Sequence, residues 1–576
     1  MTKIWKLRSP SPYASNLAHE TGIKPLEAQL LINRGITDKS SAISFLTPRL
    51  SSLSDPMLLK DMDMGIEMIV SAIENQENII IYGDYDADGI TATALLVNFF
   101  SSLGVRVSYY VPHRLAEGYS LNPEAVEKMA RNGVGLIITV DCGTTNRKEI
   151  EMARERGMKI VVTDHHQIPK DFEPICPVIN PHREDSSFPF QGLAGVGLAF
   201  FLAVAVRSAF RGQGWFGDRA EPDLKHYLDL VALGTVADMV PLLEQNRILV
   251  KWGIERIKAS RWPGINAIQE FAVVNGSEVT PYDIAFKFAP RLNAPGRMGS
   301  AKIGVEVLTT ADLAYARDLA GQLNALNSER QNIEQSILEQ IETRVSMKEM
   351  EDRKTLVICG NGWHRGVLGI VASRLVEKYR RPTLVLDIQD GTAVGSGRSI
   401  DGFNLHRALE RLGYLFERFG GHYHAVGFAL DAGNIEALDR ELEHLGQKVL
   451  SEDDMIPKIH IDAEVSLADL TMQTLRHMKA LSPHGSGNPE PIFCSHALQV
   501  LDSRVVGERH LKLKVRQEGS VLEAIGFGLS DRYPLHGETI DMVFTPEINE
   551  WQGYERIQLR IVDLELANQG SKLITD

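Results

Sequence analysis

The residues best equipped for chemistry are Asp84, Asp86 and Asp88 in the run GDYDADG, then Asp141, the triplet Asp164-His165-His166, and Asp238 in ALGTVADMVPL. Carboxylate oxygen with imidazole nitrogen is a ligand set for Mn²⁺ or Mg²⁺, and the cysteines form no C-x-x-C pair that would suit a thiolate zinc site. The carboxylates of Asp84, Asp86, Asp88, Asp141 and Asp238 cannot all stay ionised if drawn together, because like charges raise one another's pKa. Two divalent cations about 3.5–4 Å apart remove that conflict, clamp a phosphate and generate hydroxide between them. The expected chemistry is hydrolysis of a phosphate ester.

Such a site needs elements that bring distant residues to one place. Short apolar runs at 79–82 (IIIY), 105–111 (VRVSYYV), 136–140 (LIITV) and 159–163 (KIVVT) alternate with stretches that predict helices over 91–103, 123–131 and 147–156. Asn122 before Pro123 is a helix cap with proline at the first helical position. β-Branched runs between helices predict a parallel sheet covered on both faces. Ligands of such sheets bind beyond the carboxyl ends of the strands. The first run leads into GDYDADG, the third ends at Asp141 and the fourth at Asp164-His165-His166, so three strands deliver acids and imidazoles to one edge. Asp141, on the central strand, is the natural bridging ligand, and Asp238 follows an apolar helix that could close the cluster.

Other readings of these residues exist. DxDxDG also opens a calcium loop, but the twelfth loop position, Leu95 or Leu96, offers no Glu. A single Asp after a strand is commonly a helix cap, for Asp238 as well as Asp141, and paired histidines in a loop are commonly only solvated. Agreement among successive strands favours the metal site.

The remainder of the chain divides by pattern. Residues 1–50 read as an N-terminal helical preface and 51–310 as the catalytic α/β domain. Residues 311–354, with helical spacing and no Pro, read as one long helix joining it to a second α/β lobe at 355–455. Six β-rich runs within 456–576 predict an all-β barrel of the OB type. A length of 576 residues is too great for a single core. The net charge of −14 argues against a protein that coats nucleic acid and confines any nucleic-acid path to a local basic groove. One basic stretch, Arg504, Arg509, His510, Lys512, Lys514 and Arg516, falls in the barrel, with Phe527 and Trp551 as candidate stacking residues. Core burial is expected for Phe527 and exposure for Trp551. No apolar run approaches the ~20 residues of a membrane span. The opening MTKIWKLRSPSPYAS lacks a signal peptide's apolar core, and the cysteines are scattered, so a cytoplasmic protein without a membrane partner is expected.

DYDADG, the strand-end Asp141 and the triplet Asp164-His165-His166 resemble the DHH phosphoesterase superfamily. GSGRS at 395–399 and GGHYHAVGF at 420–428 resemble the DHHA1 accessory domain that follows DHH domains there. RLNAPGRM at 291–298, the long helix, and LSPHGSGNPEPIF at 481–493 before a barrel resemble the superfamily's bacterial exonucleases specific for single-stranded DNA. The match runs from about residue 50 to the C-terminus. It implies a 5′→3′ exonuclease on single-stranded DNA that uses two Mn²⁺ or Mg²⁺ ions, releases 5′ mononucleotides, and serves DNA recombination, recombinational repair and mismatch repair. It also implies a single-strand-binding protein and a helicase as partners; a monomer is expected. Carried over by position, Asp86 and Asp141 hold one metal and Asp88, Asp141, His165 and Asp238 the other. His166 then faces the scissile phosphate and Asp164 orients the imidazoles. Some members have a His where this chain has Tyr82, and Asp84 is the candidate replacement ligand.

Ser396, Arg398, Ser399 and His422 in Gly-rich turns, with Arg291 and Arg297, are the candidate phosphate binders, since a guanidinium can bond two oxygens at once. Lys512, Lys514 and Trp551 are the candidates in the barrel for holding a strand. A hydrolase of pyrophosphate, short oligonucleotides or cyclic dinucleotides would need only the two lobes. A non-catalytic nucleic-acid-binding scaffold would be expected to have lost metal ligands.

Overall fold

The computed structural model describes residues 3–114, 116–272, 279–344, 352–551, 553–567 and 573–575. They form two compact units, Leu53–Pro241 with Ile248–Met455, and Met1–Ser52 with Leu242–Arg247 and Ile456–Asp576.

The larger unit is built on a fully parallel sheet in the order Val107–Tyr110, Asn78–Gly83, Val134–Val140, Lys159–Thr163, Val178–Ile179. The apolar runs form these strands because both faces are covered. Ile80, Tyr82, Ile137, Ile160 and Val162 pack against helices Pro123–Arg131 and Arg147–Glu155. On the other face lies helix Met62–Glu74, where Gly65 packs against Val161 and Ile179. Helix Gly195–Gly212 is long and apolar enough to cross a membrane, but 67% of it is buried inside the fold, as a core helix would be.

Helix Leu313–Arg344 connects to the second sheet of this unit. It was expected to reach 354, yet 352–354 are not helical, and 345–351 lie outside the described residues. The amides of Lys354 and Thr355 donate to the Glu443 carboxylate at 3.1 and 2.9 Å as the chain enters strand Leu356–Asn361. The second sheet runs Arg418–Gly421, Ala425–Asp431, Thr392–Arg398, Thr383–Gln389, Leu356–Asn361, and only its last pair is parallel. GSGRS and GGHYHAVGF, expected as Gly-rich turns, lie largely in its strands. Their glycines thin the sheet: a Cβ on Gly395 would lie 2.4 Å from the Phe428 ring, and one on Gly397 2.4 Å from Leu384.

The smaller unit holds a closed barrel in which Phe493–Val506, His510–Gln517, Ser520–Gly526, Tyr554–Leu566 and Thr539–Trp551 pair in turn and the last returns to the first. Residues 1–50 are not a preface standing apart. Ile4–Leu7 is the middle strand between Lys458–Ile461 and Leu573–Thr575. Leu17, Leu30, Leu31 and Phe45 of the following helices share one core with Phe493 and Leu511 of the barrel. Segment Leu242–Arg247 joins the same unit, where the fully buried Arg247 guanidinium donates to the carbonyls of Phe45, Leu481, Ala480 and Ser482.

Candidate metal centre

Strand Asn78–Gly83 turns into helix Ala87–Ser102, and Asp86 is that helix's N-cap: its Oδ1 accepts from the amides of Asp88 and Gly89 at 3.0 and 3.1 Å. The turn is so tight that a Cβ on Gly89 would lie 2.5 Å from the Asp84 carbonyl oxygen. From outside, Asn293 in helix Ala289–Met298 accepts the Ala87 amide at 2.7 Å and holds the turn in place.

Asp141 follows strand Val134–Val140 with φ at 62°, a left-handed conformation that Asp adopts more readily than most residues. Gly195, at the start of helix Gly195–Gly212, presses on it, so that a Cβ there would lie 2.6 Å from Asp141 Cβ. The first amides of the same helix, Gly195 and Val196, donate to Asp88 Oδ2 and Oδ1 at 2.6 and 2.8 Å, placing the carboxylate at the positive end of the helix dipole. Asp238 closes helix Leu228–Ala237 with its backbone, as a cap would, yet its side chain also reaches the cluster.

His165 Nε2 lies 3.0 Å from Asp141 Oδ1, 3.6 Å from Asp238 Oδ2 and 3.8 Å from Asp88 Oδ2. Three sets of ligand atoms result, each mutually within 4.8 Å: Asp84, Asp86 and Asp141; Asp88, His165 and Asp238; Asp141, His165 and His166. Asp141 and His165 each belong to two sets, which fits a pair of neighbouring cations. Apart from the approach of His165 Nε2 to Asp141 Oδ1, these two atoms and Asp84 Oδ1 are buried without a hydrogen-bond partner among the described residues. Buried polar atoms left so are costly unless a ligand takes them, and these are hard donors suited to Mn²⁺ or Mg²⁺.

The charges tell the same story. Burial, and next the charge of Asp86, push the Asp84 carboxyl well up and that of Asp88 up to about 7. Burial and the charge of Asp88 raise Asp141 and lift Asp238 to about 9. Burial, then the charge of His166, lower His165 to about 4, so it presents the neutral imidazole a metal ligand must be. Burial would lower His166 too, but the hydrogen bond to Asp164 at 2.7 Å and that residue's charge outweigh it and raise the imidazole to about 9. For Asp164, burial works upward and is overcome by His166 and by the Thr144 amide at 2.9 Å, which hold the carboxyl well below its usual range. The two adjacent histidines are thus pushed in opposite directions.

A positive surface belongs to the same unit. Arg398, ending strand Thr392–Arg398, donates from Nη1 to Ser396 Oγ at 3.2 Å and to the Gly397 carbonyl at 2.8 Å. Arg297 donates to the Gly366 carbonyl at 3.4 Å. Burial first, then the charges of Arg114, Arg330 and Arg398, lower Arg297 to about 10; burial and Arg114 lower Arg398. Arg114 lies over the Tyr85 ring at 5.0 Å, beside the DYDADG turn. Desolvated cations that repel one another would be stabilised by an anion.

Other candidates are placed elsewhere. Arg291 spends its fork on Asn324 Oδ1 and the carbonyls of Lys287 and Phe271, at 3.1, 2.7 and 3.0 Å, fastening its helix instead of facing the cluster. The Ser399 hydroxyl donates to the Phe403 carbonyl at 2.7 Å, and His422 is exposed. In the barrel, Lys512 pairs with Glu523 at 2.8 Å and Lys514 is exposed. Phe527 is not core: it lies past the end of strand Ser520–Gly526, is 58% exposed, and meets His510 edge to face at 5.2 Å. The side chain of Trp551 lies outside the described residues.

Comparison with known proteins agrees with this layout. Three family models match, the DHH family N-terminal domain over 78–235, the DHHA1 domain over 352–448 and the RecJ OB domain over 461–563. The single-stranded-DNA-specific exonuclease RecJ of Escherichia coli is 37% identical over 558 residues, 94% of this chain and 95% of that protein. Its namesake in Bacillus subtilis is 34% identical over 98% of this chain and 71% of its own length. The chain belongs to the RecJ family. The crystal structure of RecJ from Thermus thermophilus in complex with Mn²⁺ superposes with TM-score 0.83 at 30% identity, covering 98% of this chain and 79% of that one.

Several residues around this RecJ-family centre carried no signal in the sequence. The Tyr119 hydroxyl lies 3.1 Å from His166 Nδ1 and donates to the Asp141 carbonyl at 3.3 Å. Tyr119 and Arg114 stand in a segment with neither strand nor helix period. Within RLNAPGRM, Asn293 holds the DYDADG turn and Arg297 lies among the arginines beside it, whereas Arg291 is bonded to Asn324, Lys287 and Phe271.

Proposed function

We propose that this chain hydrolyses single-stranded DNA from its 5′ end, releasing 5′ mononucleotides, with two Mn²⁺ or Mg²⁺ ions. The observation that carries this reading is the sharing of Asp141 and His165 between ligand sets whose buried donor atoms lack other partners. Asp84, Asp86 and Asp141 would hold one ion, and Asp88, Asp141, His165 and Asp238 the other. When bound, such a pair supplies Lewis acidity that activates a water and neutralises charge on phosphate oxygens.

The chain's own residues do the rest. Asp164 keeps His166 oriented and charged, and the imidazolium stabilises negative charge growing on the phosphate. Arg398, Arg297 and Arg114, with Ser396, bind the phosphate at the 5′ end, so that the next phosphodiester meets the metal ligands. The 3′ oxygen of the terminal nucleotide leaves. The exposed Arg504, Lys514, Arg516 and Phe527 of the barrel hold the strand farther along.

Residues 53–455 thus carry the chemistry, except for the segment 242–247, and the barrel unit carries strand binding. A hydrolase of pyrophosphate or cyclic dinucleotides has no use for that barrel, and a scaffold has no use for a complete ligand set. Roles in recombination, recombinational repair and mismatch repair, action as a cytoplasmic monomer, and cooperation with a single-strand-binding protein and a helicase follow from the same reading. Strands labelled at either end, single and paired, with and without Mn²⁺, test it. Metal-dependent loss of the 5′ label first, from single strands only, is expected. A preference for pyrophosphate, or release from the 3′ end, would refute it.

A further inference from the structure

Between strand Val107–Tyr110 and helix Pro123–Arg131 the described residues form no strand or helix, yet this stretch brings Arg114 and Tyr119 to the metal centre. Backbone hydrogen bonding of a sheet or helix does not fix it, so side chains must. Glu117 does so from within. Its Oε1 accepts the Tyr110 hydroxyl, its Oε2 accepts the His113 amide at 2.6 Å, and its own amide donates to the His113 carbonyl at 2.7 Å. Arg114 stands inside the turn so closed.

Tyr110 is a firm anchor, because it lies in the sheet and stacks on buried Tyr82 at 5.4 Å with 18° between the rings. The Tyr82 hydroxyl in turn donates to the Ser120 carbonyl at 2.8 Å and fixes the far end of the segment next to Tyr119. Ser120 sits at φ 70°, a conformation a serine keeps only when its surroundings hold it there. Both ends of the segment therefore hang from one stacked tyrosine pair, and the Glu117 carboxylate ties the arginine end. Hydrogen bonds to an ionised acceptor are the strong kind, and cutting them returns the entropy of a long cationic side chain to the segment.

We infer that Glu117 is a positioning residue for the reaction: by tying His113 to Tyr110 it sets Arg114 where the 5′ phosphate is gripped. This rests on the exonuclease reading above. Glu117→Ala, Glu117→Gln and Tyr110→Phe test it. Three quantities would be followed: Mn²⁺ affinity by calorimetry, KM on 5′-phosphorylated against 5′-hydroxyl strands, and trypsin cleavage after Arg114 by mass spectrometry.

In Glu117→Ala, Mn²⁺ affinity should stay at the parent value while the preference for a 5′ phosphate drops roughly tenfold and cleavage after Arg114 accelerates. Glu117→Gln and Tyr110→Phe should fall between, and together lose less than the product of their single effects. Unchanged preference and unchanged cleavage in a variant that binds Mn²⁺ normally would overturn the assignment. So would an equal loss of Mn²⁺ binding and preference, which would make Glu117 merely structural. Should Glu117→Ala not fold, the other two variants decide. Should the parent protein cut no strand at all, the functional reading fails, while the trypsin comparison still judges the latch.

Discussion

The two sheets of the larger unit treat polar groups in opposite ways. The parallel sheet collects acids beyond its strand ends and buries them against one another, with Asp84, Asp88 and Asp141 nearly inaccessible. The mixed sheet offers Arg398 from the end of a strand kept thin by glycine, next to Arg297 and Arg114. One side is short of positive charge and the other of negative. Neither arrangement is favourable alone, and both would be relieved by cations and a phosphate bound there. A site that is electrostatically incomplete on both sides is what a phosphate-cutting centre requires.

The comparison breaks first at the acidic side. Asp141→Ala should remove hydrolysis beyond detection in Mn²⁺, a larger loss than the ~10–100-fold typical of outer partners of a metal site. The same change should leave the metal-free protein as stable as its parent or more so, because a repelling carboxylate is gone. Steady-state kinetics with urea unfolding in chelator checks both halves, and retained turnover would dismantle the two-metal scheme. Asp164→Asn comes next, at ~10–100-fold in rate, with the pH profile displaced as His166 loses the partner that raises it. On the basic side, Arg398→Ala should raise KM for 5′-phosphorylated strands roughly tenfold and change kcat little. An unaltered KM would remove the guanidinium from the phosphate site.

The gentlest effect is on stability against pH. Folding raises Asp88 to about 7 and Asp238 to about 9, so between about pH 4 and those values the folded state binds more protons than the unfolded one. The metal-free protein should therefore lose stability as pH climbs through this window, and Mn²⁺ should flatten the slope while releasing protons on binding. Unfolding titrations at several pH values, with and without Mn²⁺, measure it.

Much of the catalytic sheet was legible because its strands are buried on both faces. Continuous β-branched runs announce such strands, and a parallel sheet puts its chemistry at their ends. Asp141 and Asp164-His165-His166 could thus be assigned to one sheet edge from the agreement of successive strands. Arg114, Tyr119 and Glu117 could not, since a segment fixed by its own side chains has no period to read. The accessory lobe misled differently: glycines that make room for Phe428 and Leu384 inside a sheet look, in sequence, like glycines that make turns. Arg247 was invisible for a third reason. Its acceptors, Phe45 and Ala480 to Ser482, lie more than 200 residues away in either direction.

The strand Ile4–Leu7 has a bearing on how the molecule is made. It is synthesised well before both its neighbours, Lys458–Ile461 and Leu573–Thr575. At ribosomal speeds of about 5–20 residues per second, Trp5 and its flanking residues wait roughly half a minute to two minutes for partners. During that interval the catalytic stretch emerges, ahead of the barrel. The larger unit can therefore assume its shape before the barrel exists, and the side chain of Trp5, buried in the finished fold, must be kept from wrong company in the meantime.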